Sequence, residues 1–157
     1  MSQKFNLNDF RKKTEQSFGP FLIEWGEEDA PQSVELAAIV TASPAKQVEF
    51  GRRFSIIQLV LSLSELTDEQ QVGLAAELID YKEDDARTEY ELAADIITAA
   101  RDTVKEMLAE LASDKRAFKA FVKEFDGELL EWFAVLQGYC AKYGLYGVTD
   151  GEFNEGK

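Results

Sequence analysis

Histidine is absent from the 157 residues, and cysteine occurs once, at Cys140. Without histidine there is no Ser-His-Asp or Cys-His arrangement and none of the usual zinc ligand sets. A lone cysteine forms no disulfide within the chain. Cys140 lies on an apolar helical face beside Tyr139 and Tyr143, so it reads as a small core residue rather than a nucleophile. No uninterrupted apolar run approaches the roughly 18 residues of a membrane span, and Met1 to Lys13 lacks the apolar stretch of a signal peptide. The chain is therefore expected to remain in the cytoplasm where it is made, away from membranes. Positive charge is scarce as well: 17 Lys and Arg stand against 30 Asp and Glu, a net charge of -13. Such a chain repels nucleic acid, and the basic cluster Arg11-Lys12-Lys13 is too small to reverse that. Gly73, Gly127 and Gly138 are isolated, so no glycine-rich phosphate cradle is present. Neither a catalytic residue nor a metal ligand nor a cofactor site is expected.

Hydrophobic residues make up 45% of the chain, enough for a true core in a domain of this length. The acidic balance has two readings: the protein meets basic, neutral or apolar surfaces, or the charge simply keeps it dispersed.

The pattern along the chain predicts a mainly α protein, a helical bundle preceded by a short N-terminal helix and one small β-hairpin. Asn6 or Asn8 can cap a helix to about Ser17, with Leu7, Phe10 and Thr14 along one side. Gly19-Pro20 stops it. Phe21 to Trp25 is short, aromatic and branched, hence a strand; a polar turn from Gly26 to Gln32 leads to a second strand over Ser33 to Val40. Ser43-Pro44 starts a helix carrying Val48, Phe50, Phe54, Ile57, Val60 and Leu61. Within it, Phe54 to Leu61 is apolar almost all round, and is either central core or a surface awaiting a partner. Thr67-Asp68-Glu69-Gln70 is a capping box opening a helix with Leu74, Leu78 and Ile79. Tyr90, Ala94, Ile97, Val104, Met107, Leu108 and Leu111 mark a long amphipathic helix, and Ser113-Asp114 caps the next. Asp126-Gly127 breaks or bends that one before a last helix through Tyr143. One domain is expected over residues 1–143, with 144–157 as a flexible tail.

Between Glu65 and Asp95 acidic residues crowd together, opposed only by Lys82 and Arg87. Asp80 to Asp85 starts like a calcium loop but has Asp85 where the loop needs glycine, so a solvated face is the better reading. The strongest feature is the aromatic series Phe118, Phe121, Phe125, Trp132, Phe133, Tyr139 and Tyr143. It is either one continuous core stripe or a groove that receives apolar segments of another chain. In the second case Phe118, Phe121, Phe125, Trp132, Phe133 and Tyr139 are the partner-binding residues.

The order of elements resembles that of the tail assembly chaperones of long-tailed phages. The resemblance rests on a short helix, the strand Phe18-Gly19-Pro20-Phe21-Leu22-Ile23-Glu24, an acidic turn, a second strand and an acidic helical bundle. It is completed by Leu129-Leu130-Glu131-Trp132-Phe133 with Tyr139. It departs in the hairpin, where a longer turn ending in Pro31 replaces an Asp-Gly type turn. The resemblance implies a non-enzymatic role: binding the tape measure protein, with the tail tube protein as a further partner, and keeping it soluble until the tube assembles. It implies absence from the mature virion and a longer form made by ribosomal frameshifting, for which Glu155-Gly156-Lys157 can be encoded by a slippery G-GGA-AAA heptamer. A homo-oligomer is compatible with it. Two alternatives use the same residues: an acidic DNA mimic that blocks a nucleic-acid-binding protein, and a structural tail component.

Overall fold

A computed structural model of the chain describes residues 4–148. Six helices and one two-stranded antiparallel hairpin are present among them, in the order α1 (Leu7–Phe18), β1 (Phe21–Glu27), β2 (Ala30–Leu36), α2 (Pro44–Leu61), α3 (Asp68–Ile79), α4 (Glu89–Leu111), α5 (Lys115–Phe125) and α6 (Leu129–Tyr143). The architecture is mainly α with a short N-terminal helix and one small hairpin, as the sequence pattern predicts.

Helix starts follow the local chemistry. Asn6 caps α1 by accepting from the Asp9 N–H at 3.0 Å, and Ser43 caps α2 with Pro44 in the first turn. Thr67 and Gln70 close the capping box of α3 reciprocally, at 3.1 and 2.9 Å. Asp114 caps α5. That helix ends outright at Asp126, which adopts a left-handed conformation (φ 42°), and Gly127 follows because a Cβ there would meet the Phe125 ring at 3.2 Å.

The hairpin differs from the sequence reading in its bounds. β1 runs on to Glu27 and β2 begins at Ala30, so the turn is only Glu28-Asp29 rather than Gly26 to Gln32. Pro31 lies inside β2 opposite Gly26, tolerated because a two-stranded sheet consists of edges. The second strand ends at Leu36, not Val40. Leu36 pairs with Phe21, so Ala37 would face Pro20, which has no N–H to offer. Ala37 instead donates to the Leu111 carbonyl at 2.8 Å, and Ile39–Thr41 turn as a 3-10 helix.

α4 is the axis of the fold, packing on α2, α3 and α6 and touching α5 and β2. Its buried stripe is Ile96, Ala100, Val104, Met107 and Leu108. Tyr90 and Ile97, expected on that stripe, are exposed, as is Val48 on α2. The true row runs in steps of four through Ala100, where a small side chain lets a neighbouring helix approach. The inner hairpin face contributes Ile23, Val34 and Leu36.

Tyr139 ties hairpin to bundle. Its hydroxyl donates to the Ala37 carbonyl at 2.6 Å and accepts from the Ile39 N–H at 2.7 Å, inside the core. Tyr139→Phe should cost about 1–3 kcal/mol, because it strands the buried Ile39 N–H and removes the donor to the Ala37 carbonyl. An unchanged urea midpoint would contradict this role.

The domain also continues past the expected boundary at 143. Gly144 reverses the chain in a left-handed conformation, Tyr146 stacks on Phe54 with ring centroids 4.6 Å apart, and Val148 is buried. The remainder of the expected tail, 149–157, and the side chain of Thr14 lie outside the described residues.

Candidate interaction surfaces

The six residues offered as a partner groove form the core instead. Phe118, Phe121, Trp132, Phe133 and Tyr139 are buried and Phe125 is half-buried. Trp132 lies at the centre, with the Phe118, Phe121 and Phe125 rings 6.2, 5.7 and 5.0 Å away. Phe133 stacks on Phe54 at 5.9 Å, and Tyr139 meets Phe21 edge-on at 5.7 Å. Helical spacing shows that a stripe is apolar, but not which neighbour covers it; here α2, α4, α5 and the hairpin do. Among the described residues, the Trp132 indole N–H finds no partner.

Four weak acids lie in or beside this interior: Tyr139 and Cys140 are buried, Tyr143 is half-buried and Tyr146 is exposed at its edge. Burial pushes the Cys140 thiol up to about 12 and the Tyr143 phenol up to about 12. It also raises Tyr139, against the Ile39 hydrogen bond that opposes it, and Tyr146. A thiol held protonated in this way is chemically inert.

What stays open is a groove between α2 and α3, with a volume of about 490 Å³. The all-round apolar run on α2 is divided by it. Phe54, Ile57 and Val60 turn to the core, while half-buried Ile56 and exposed Leu59 join Leu66 and Leu74 as groove lining. Arg52 spans the groove at one end, bonding Glu49 on α2 at 2.7 Å and Glu77 on α3 at 3.0 Å. These hydrogen bonds lower the Glu49 carboxyl and raise the Arg52 guanidinium. From Glu65 to Asp80 the chain carries five acids (Glu65, Asp68, Glu69, Glu77, Asp80) and no base.

Gly73 lines the same groove. It is exposed in mid-helix, and a Cβ there would meet nothing within 4 Å. Glycine inside a helix costs about 1 kcal/mol relative to alanine, and no packing inside this molecule requires it. In the sequence Gly73 is an isolated glycine with no phosphate loop around it; a glycine inside an amphipathic helix is the signal that marks the groove.

A second recess, about 480 Å³, lies between the 3-10 turn and α4 over Ile39, Phe50, Met107 and Leu111. The Arg53–Glu110 ion pair, at 3.2 Å, stands at its edge. It is the more enclosed of the two, walled by the 3-10 turn, α2 and α4, whereas the α2–α3 groove is more open and can admit another helix.

Helix α1 stands apart. Its one substantial neighbour is α6, and the Tyr143 hydroxyl donates to the Gly19 carbonyl at 2.5 Å to fix its end. Phe5 and Leu7, with Phe18 at the far end, are exposed along it.

The calcium-like run has other work: Asp80 ends α3 in a left-handed conformation, and Asp85 and Asp95 pair with Arg87. Among the described residues, no group of three or more potential ligands could hold a metal ion, and no helix is long and apolar enough to cross a membrane. Comparisons with protein-family models, curated proteins and solved structures returned no match.

Proposed function

We propose that this chain is a tail assembly chaperone of the long-tailed phage kind, acting without catalysis in the host cytoplasm. It holds the tape measure protein soluble until the tail tube forms, and is left out of the finished virion. The observation that carries this reading is the open α2–α3 groove, apolar along its floor and acidic along α3. An amphipathic helix lays its apolar face into such a groove, and basic flanks on that helix meet the acids. The net charge of -13 then keeps each complex repelling the next. Contacts repeated along a long client sum to firm binding while each remains weak enough to release. The element order and the Gly19-Pro20-Phe21 motif that leads into β1, with their resemblance to that family, support the same reading.

Coexpression tests it. The soluble fraction of the tape measure protein, measured after centrifugation, is expected to rise several-fold with this chain, and Gly73→Lys is expected to abolish the gain. Equal insolubility with and without the chain would end the proposal. Salt-sensitive inhibition of a DNA-binding enzyme, with no effect on the tape measure protein, would favour the DNA-mimic reading.

A further inference from the structure

The recess between the 3-10 turn and α4 is floored by Ile39, Phe50 and Met107, with about 480 Å³ of space beside them. That is room for a large apolar side chain. Its rim holds two acids, Glu49 and Glu110, and three cations, Lys46, Arg53 and Lys115. Arg53 reaches both acids at 3.2 Å, and Arg52 bonds Glu49 as well, at 2.7 Å. Both acids are therefore engaged by arginine. Lys46 and Lys115 form no ion pair among the described residues, and Lys115 donates to the Ala109 carbonyl. Lys115 is also the first residue of α5, the most basic helix of this acidic chain: Lys115, Arg116, Lys119 and Lys123 stand against Glu124 alone. All four cations are exposed. Lys115, Lys119 and Lys123 follow in steps of four, which lines them along one side of α5 over about 12 Å. Ala109, which Lys115 contacts, also lines a shallow crease between α4 and α5 with Phe118, Lys119 and Val122, where Lys105 and Glu106 form the α4 side.

We propose that this corner of the molecule binds an acidic chain segment carrying one large apolar side chain. That side chain enters the recess over Ile39, Phe50 and Met107 and leaves water. Carboxylates on either side of it pair with Lys46 and Lys115, and those further along follow Lys119 and Lys123. A small carboxylate would use the rim alone, whereas the row of cations along α5 matches a chain with several acids. Nucleic acid is the poorer match, because its bases stack on exposed aromatic rings and Phe50 is buried at the floor. The sign of this site is opposite to that of the α2–α3 groove, so it selects segments that the groove repels. It goes beyond the chaperone reading and does not depend on it.

Fluorescence anisotropy tests it, with the full chain and a fluorescein-labelled peptide that has aspartates and glutamates on both sides of a single phenylalanine. Saturable binding is expected, weakening as salt rises. Replacing the phenylalanine by alanine should weaken binding about ten-fold, since burial of the ring is lost. Two charge reversals, Lys46→Glu/Lys115→Glu and Lys119→Glu/Lys123→Glu, should each weaken it by about ten-fold or more. Ala42→Phe, at a half-buried position on the recess wall, fills the space without altering charge and should bring both peptides to the same weak affinity. The reversed lysines are exposed, so the fold, checked by circular dichroism, should persist. Should Ala42→Phe misfold, the alanine peptide still reads the same contact on the wild-type chain. No saturable binding, equal wild-type affinity for the two peptides, or undiminished binding by both reversed variants would each overturn the proposal. Labelled oligothymidylate that binds as tightly as the peptide would overturn it too, in favour of a nucleic-acid surface. The peptide contains no tape measure sequence, so failure here leaves the chaperone reading standing, and failure of coexpression leaves this site standing.

Discussion

Trp132→Ala is expected to lower the unfolding free energy by about 3–5 kcal/mol, a large share of the roughly 5–15 kcal/mol that domains of this size possess. The indole is fully buried among Phe118, Phe121 and Phe125, so truncation removes its burial and opens a cavity against three rings at once. α5 should suffer first, since those three aromatic residues are its inner face. Trp132→Phe should cost less than half as much: it keeps most of the ring contact and discards an N–H that has no partner among the described residues. Urea unfolding followed by circular dichroism reads both variants, and the midpoint should move without a change of slope. A loss below about 1 kcal/mol for the alanine variant would show that these aromatic residues do not form the core described above.

Alkaline pH should be nearly as damaging, and Cys140 accounts for the largest single part. Its thiol has an ordinary value of 9.0 and is pushed up to about 12 by burial. Above pH 9 the unfolded chain releases this proton while the folded chain keeps it. The folded state is therefore fully favoured below pH 9 and loses stability as pH rises toward 12. At about 1.4 kcal/mol per pH unit, the loss from this group is on the order of 4 kcal/mol by pH 12. Tyr143, also raised to about 12, with Tyr139 and Tyr146, steepens the fall above pH 10. Urea midpoints measured at successive pH values should decline from pH 9 onward, and Cys140→Ala should flatten the first part of that decline. A wild-type midpoint constant from pH 8 to 11 would contradict the burial of Cys140 and Tyr139.

Much of this architecture is visible in short stretches of residues. Ser43-Pro44, the Thr67 capping box and Asp114 each mark a helix start because the side chain that satisfies free backbone donors lies within three residues of them. The hairpin is legible from Phe21 to Trp25, but not its length, since the end at Leu36 depends on Pro20 facing the next residue across the ladder. The candidate site was less visible. Phe54 to Leu61 is apolar on every side, so periodicity alone could not separate Phe54, Ile57 and Val60, which go inward, from Leu59, which does not. Conversely, Phe118 to Tyr139 invited a partner that the protein's own α2, α4 and hairpin already replace.

Amino-acid order by itself determined the helix starts and most of their stops, the presence of one hairpin, and the acidic character of the surface. All of these arise from residues within a turn or two of one another. Tertiary structure alone decided which apolar faces are covered, that Tyr139 joins hairpin to bundle, that residues 144–148 close over α2, and that a groove stays open beside Gly73. Burial is a sum over neighbours far apart in the chain, and only the packed molecule holds that sum.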